Sequence, residues 1–188
     1  MISPGRTGIG TGLVIGMGLA ALCLALARPV AAQSVGEKTG VNSVLGVSPS
    51  TQDFVTQAVI SDLFEKQSSQ LAEERGDDKT KAFARKMIAD HGTTTDGLKA
   101  LVDGGKVKAD WPTALDSSHQ SKLDTLKGLK GDDFVKQYRS DQVTAHKNAV
   151  DLYKRYADGG DNADLKAFAA KMKPTLDAHL KLAEELPK

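Results

Sequence analysis

The stretch Lys81-Ala82-Phe83-Ala84-Arg85-Lys86-Met87 returns 85 residues later as Lys166-Ala167-Phe168-Ala169-Ala170-Lys171-Met172, identical at six of seven positions. Each copy is followed by a histidine on the same helical stripe, His91 after the first and His179 after the second. A repeat of this kind reads as two helical hairpins in tandem. The helix that contains the first copy is predicted over 78–102, with Phe83, Met87, His91, Thr94, Leu98 and Leu101 on one face and Gly104-Gly105 ending it. Its hairpin partner is predicted over 51–75, where Phe54, Ala58, Ser61, Glu65, Ser68 and Ala72 recur at helical spacing between Pro49-Ser50 and Gly76. The second hairpin has the same plan. A helix over 132–157 turns Phe134, Tyr138, Asp141, Ala145, Ala149, Leu152 and Tyr156 inward, with His146 at the edge of that stripe. After the turn Asp158-Gly159-Gly160-Asp161-Asn162, a last helix carries Leu165, Phe168, Met172, Leu176, His179 and Leu182. Pro174 inside it removes a backbone donor and is expected to bend it.

Short turns make each pair antiparallel. The 106–131 connection between the hairpins, with Trp111-Pro112 and a short helix expected over 117–129, is long enough to run the length of a bundle. The expected fold is therefore all-α: a ferritin-like four-helix bundle, with a long connection and a short extra helix between the second and third long helices.

Residues 1–32 differ from the rest. They contain Arg6 and Arg28 but no acidic residue, an apolar run from Leu13 to Ala27, and Val30-Ala31-Ala32 before Gln33. The run is shorter than the roughly 20 residues that span a bilayer and is read as a secretory signal peptide cleaved after Ala32. The single cysteine, Cys23, follows Leu22, where a lipoprotein signal would carry a small residue. Residues 33–48 are rich in Gly, Ser and Val without period and are read as a flexible linker, and 49–188 as the bundle domain. Without disulfides the exported chain must be held by its core. Removing the two leader arginines from 25 basic and 24 acidic residues leaves 23 against 24, mixed in sign along the chain. No nucleic-acid partner and no integral membrane segment after signal cleavage are expected.

Each long helix offers a side chain that could ligate a metal near the bundle axis: Glu65, His91, His146 and His179, with Asp141 as an alternative. A di-iron centre would need Glu-x-x-His on the second and fourth helices, but Ile88 and Leu176 stand three residues before the two histidines. Shifting by 85 also aligns His91 with Leu176 and His179 with Thr94, so the two histidines are not equivalent. A single mononuclear site for zinc, iron or copper is what this set can form. Met87 and Met172 share the histidine stripes and would favour copper, although methionine at helical spacing is ordinarily core filler. Tyr138 and Asp90 are candidates to support the ligands. Asp90 adjoins His91, but neighbouring helical positions point about 100° apart, which turns it toward solvent. His119 is expected to be exposed. In the competing reading each histidine is simply hydrogen-bonded to a neighbour, such as His91 to Glu65 or His146 to Tyr138. No Gly-x-Ser-x-Gly, phosphate loop or His-Glu-x-x-His is present and no catalytic residue is assigned.

The segments running from Phe54 to Ala72, Phe83 to His91, Tyr138 to His146 and Pro174 to Leu180 resemble the exported bacterial proteins grouped as domain of unknown function 4142. The resemblance spans 51–186. It implies a ferritin-like four-helix fold in a periplasmic or outer-membrane-associated protein of no assigned activity. The family's recurrent positions fall on Glu65, Asp90, His91, Tyr138, His146 and His179, without an established role for them. Three functions are open at this stage. The first is a metal-binding or stress-related accessory protein, the second a non-catalytic structural or interaction module with a polar interior. The third, a metal-dependent oxidase or peroxide-consuming enzyme, lacks the carboxylates it would need.

Overall fold

In the computed structural model residues 33–187 are described. The segment read as a signal peptide lies outside the described residues. All regular structure among the described residues is helical: α1 (Val35–Lys38), α2 (Val41–Leu45), α3 (Thr51–Arg75), α4 (Asp78–Asp103), α5 (Ser117–Gly128), α6 (Gly131–Gly159) and α7 (Ala163–Glu184). Helices start where the chain supplies a cap. The side chains of Ser50, Asp77, Asp116 and Asn162 accept the backbone N–H three residues ahead in α3, α4, α5 and α7, each worth about 1 kcal/mol. Helix α6 has no capping side chain and instead places Asp132 and Asp133 in its first turn, where the helix dipole favours acids. Helix α7 continues through Pro174.

The four long helices pack in a ring. Helix α3 lies against α4 and α6, and α7 against α6 and α4. Ser69 at the end of α3 meets Tyr138 near the start of α6, and Thr51 meets Tyr156, so these two helices are antiparallel. Asp90 likewise reaches His179, while Gly97 packs under Phe168 of α7: a Cβ there would stand 3.1 Å from the Phe168 ring. The directions are thus up, down, down, up, and the connection containing α5 crosses from one end to the other. The all-helical bundle expected from the repeat is what forms.

Two separate apolar cores fill the ends. Phe54, Val59, Leu98, Leu152, Tyr156, Leu165 and Leu176 make one; Phe64, Phe83, Met87, Leu126, Phe134 and Tyr138 make the other. Each fully buried large side chain contributes about 1.5–3 kcal/mol. Between the cores lies a buried polar layer of Asp62, Glu65, Ser68, Ser69, His91, Thr94, Gln142, His146 and His179.

The segment read as a linker contains two short helices, α1 and α2. Their anchor is Glu37, which accepts hydrogen bonds from Arg155 Nη1 at 2.8 Å, Gln57 Nε2 at 2.9 Å and Asn42 Nδ2 at 2.9 Å. Its only sequence sign was the one acid of the stretch, next to Lys38, with its partner more than a hundred residues away. Among the described residues no helix is long and apolar enough to cross a membrane.

Candidate metal centre

Three imidazoles meet in the polar layer. His91, His146 and His179 are each at most 2% exposed, every pair of ring centroids is 5.5 Å apart, and one nitrogen from each lies within 4.8 Å of the other two. The opposite nitrogen of each ring is tied down. His91 Nδ1 faces Asp62 Oδ1 at 2.7 Å, and Asp62 Oδ2 is held by the Thr95 hydroxyl at 2.9 Å. His146 Nδ1 faces the Gln142 carbonyl one turn back at 2.9 Å. His179 Nε2 faces Asp90 Oδ2 at 2.7 Å. Carboxylates and carbonyls only accept, so each of these nitrogens carries the proton and the tautomers follow. That leaves His91 Nε2 and His146 Nε2 facing each other at 3.4 Å, and His179 Nδ1 buried with no partner among the described residues.

One edge of the triangle has the length a metal requires, and the other two are no longer than 4.8 Å. Zinc–imidazole bonds of about 2.0–2.1 Å give a tetrahedral N···N edge of about 3.3–3.4 Å, and His91 Nε2 stands 3.4 Å from His146 Nε2. Hydrogen bonds from ring N–H to carboxylate or carbonyl are also what orient metal-bound histidines and raise their basicity.

The electrostatics keep two rings neutral. Burial, reinforced by the charge of His91, drops the His146 pKa to about 3. Burial also lowers that of His179, with Asp90 opposing. For His91 the same burial is outweighed by the hydrogen bond and charge of Asp62, and its pKa is raised. Glu65, fully buried, is pushed up to about 7 by desolvation, against the field of His91. Asp90 stays below its ordinary value although burial opposes this, because Lys86 and His179 donate to it.

Of the residues singled out from sequence, the three histidines come together. Glu65 lies in the same layer, its Oε1 3.9 Å from His146 Nδ1, outside the group of mutually close ligand atoms. Asp141 does not join them: its carboxylate accepts from Gln137 Nε2 at 3.2 Å and lies in the field of Lys122 and His119 of α5, and burial raises its pKa. Tyr138 shares a 2.8 Å hydrogen bond with Ser69 and does not reach His146. Asp90 does not turn wholly to solvent. It orients the ring of His179 across the hairpin boundary, because on α4 it lies on the side that faces α7 while His91 faces the axis. Met87 packs in one core and Met172 against the other, so no thioether–imidazole set forms. His119 is partly covered, bonded to Asp116 at 2.8 Å with its ring edge on Phe64.

Asp62 and Gln142 were missed. Asp62 is 4% exposed and stands one turn before Glu65, so two acids three residues apart on an otherwise apolar stripe were its available signal. Gln142 acts through its backbone carbonyl, which no side-chain pattern announces.

Two grooves flank the centre. One, of about 480 Å³, runs between α1, α3, α5 and α6, and none of the three histidines lines it. The other, of about 410 Å³, lies on the α4–α7 seam between Lys79, Phe83, Lys86 and Leu182. Phe83 is its floor, and the same ring meets His146 edge-on at 6.3 Å.

Fold and site together define an all-helical bundle with a buried three-imidazole centre in its midplane. The chain belongs to the family described as "Domain of unknown function (DUF4142)", whose pattern matches residues 36–186. No curated protein and no solved structure matches it.

Proposed function

We propose that this protein is an exported, ferritin-like metal-binding accessory protein, which holds a single transition-metal ion at His91, His146 and His179. One observation carries the reading: three buried imidazoles bring one nitrogen each within 4.8 Å of the other two, while a nitrogen of every ring is held by an acceptor. Four buried atoms of the same layer, both Glu65 oxygens, Gln142 Oε1 and His179 Nδ1, have no hydrogen-bond partner among the described residues. Native interiors seldom tolerate such a concentration. The donor set suits zinc, iron or copper. The leader-like composition of residues 1–32 supports delivery to the periplasm, either free there or associated with the outer membrane.

The test is elemental analysis of protein purified without an affinity tag from the exported fraction, before and after incubation with each metal. About one equivalent per chain is expected, lost in His91→Ala and His179→Ala. Sub-stoichiometric metal in every preparation, loaded or not, sinks the reading.

A second reading has its own support. A protonated His91 donates to Asp62 from one nitrogen and points the other at His146 Nε2, which closes a hydrogen-bonded chain without any metal. The layer then sets helix register in a non-catalytic structural or interaction module. Under this reading the same substitutions lower stability and change no ligand.

A further inference from the structure

Glu65 is the polar group that the three-imidazole arrangement leaves unexplained. It is 1% exposed, neither of its oxygens makes a well-formed hydrogen bond among the described residues, and its polar neighbours there are the Gln142 amide, too poorly placed for a full bond, and His146 at 3.9 Å. An ionised carboxylate in this position needs a cation or a set of donors, since burial of the charge without either is among the costliest arrangements a core can hold. Its place in the fold suggests which cation. Helices α4, α6 and α7 each send one imidazole to the centre, whereas α3 sends none. Glu65 is the α3 side chain in that layer without a task, because Asp62 holds His91, Ser68 takes the Gln142 amide and Ser69 pairs with Tyr138.

We propose that Glu65 is the fourth protein ligand, so that each long helix donates one group to the metal. This rests on the three-histidine reading and deepens it. Oε1 stands 3.9 Å from Nδ1 of His146, behind the ring, so ligation requires the Glu65 side chain to swing past that ring to its Nε2 side. Imidazole ligands bring no charge, and Asp62 and Asp90 stand behind their rings, so Glu65 is the group that neutralises the ion by direct contact. The consequence is functional. A centre with four protein ligands has no open position for water, oxygen or substrate. It suits storage, buffering or delivery of a metal ion, and not activation of a bound molecule.

Cobalt(II) titration of the full exported chain, followed by visible absorption, tests this. The wild type is expected to give the intense bands of four-coordinate cobalt at one equivalent, unchanged by added azide. Glu65→Gln should bind at least about tenfold more weakly and become azide-sensitive, with Glu65→Asp between the two. Circular dichroism monitors folding, and the azide arm on the wild type needs no variant. An azide-sensitive wild type, or Glu65→Gln that binds cobalt as the wild type does, overturns the fourth ligand and leaves the histidines standing. A wild type that binds no cobalt removes both readings.

Discussion

The two hairpins share a plan and divide the chemistry. The α3–α4 hairpin supplies Asp62, Glu65 and Asp90, every carboxylate at the centre, with one imidazole. The α6–α7 hairpin supplies two imidazoles, and its one inward acid, Asp141, is engaged elsewhere. What the repeat preserved is packing. Phe83 and Phe168, equivalent in sequence, serve opposite cores, as they must when the second copy runs antiparallel to the first. The same geometry explains why the histidines do not repeat. With Asp90 meeting His179 and Gly97 lying against Phe168, His91 stands close to the level of Leu176, its own counterpart. A centre at the level where the two copies cross can occur only once, so each copy contributes to it differently.

The strongest way to break the comparison is to remove imidazoles from each hairpin in turn. Structural zinc sites are worth about 10–16 kcal/mol, so one ligand of four should be worth about 3–4 kcal/mol, or some 10²–10³-fold in affinity. Competition titrations should show that loss for His91→Ala and for His146→Ala alike. A large loss in one hairpin and none in the other would mean that the centre belongs to a single hairpin.

A second experiment separates the hairpins physically. The segment 33–48 bridges them, since Glu37 takes Gln57 of α3 and Arg155 of α6, while Ser34 N donates to Asp53 of α3 at 2.8 Å. Arg155→Ala strands Glu37 and should cost about 2–3 kcal/mol in denaturant unfolding. That is below the 3–5 kcal/mol of a fully buried pair, because Asp151 on its other side is 37% exposed. Acid should act at the same place. Burial alone would raise the Glu37 pKa, but the hydrogen bonds from Arg155, Gln57 and Asn42 hold it below the ordinary 4.5. A depressed carboxylate adds stability above its unfolded value and loses it as pH falls through the folded one. Wild type should therefore lose the pair's contribution below about pH 4.5, and Arg155→Ala should show a shallower decline there.

How much of this was legible in the sequence depends on range. The long helices and their caps are local patterns, and the repeat with its long connection carried the bundle. The three histidines were found because they occupy apolar stripes. Of their partners Asp62 was not found and Asp90 was named beside His91 rather than His179, because both act across helices and rotation about the axis decides what they meet. Asp90 looked solvent-facing from its neighbour His91, yet that 100° turn is what aims it at α7. Asp141 failed for the converse reason: it sits on the inward stripe, but at a level covered by α5.

Those two carboxylates sharpen the division of labour next. Loss of an acceptor behind a metal-bound histidine commonly costs 10–100-fold in affinity. Asp62→Asn should fall near the upper end, since Asp62 is buried and also held by Thr95. Asp90→Asn should fall near the lower end, because Asp90 is 29% exposed and water can replace it. The affinity ranking wild type, Asp90→Asn, Asp62→Asn is the expected result, and its reversal would make the contact between hairpins the more important one.

The smallest effect tests whether the shared part of the repeat does any chemistry. Lys86 and Lys171 are equivalent, but only Lys86 has a carboxylate four residues on, the 2.7 Å pair with Asp90. Lys86 is 48% exposed on its side chain, and such i,i+4 pairs contribute about 0.3–0.5 kcal/mol. Lys86→Ala should therefore lower stability by no more than that, and Lys171→Ala by less. On metal the prediction is a change of about twofold or less, since Asp90 keeps His179 when Lys86 is gone. Its rate of loading should rise modestly, because Lys86 lines the α4–α7 groove above Phe83 and its charge repels an incoming cation. Stopped-flow loading with Lys86→Ala and Lys86→Gln measures this. Equal rates in both variants and the wild type would show that ions enter elsewhere, and would leave the repeated lysines to solvation alone.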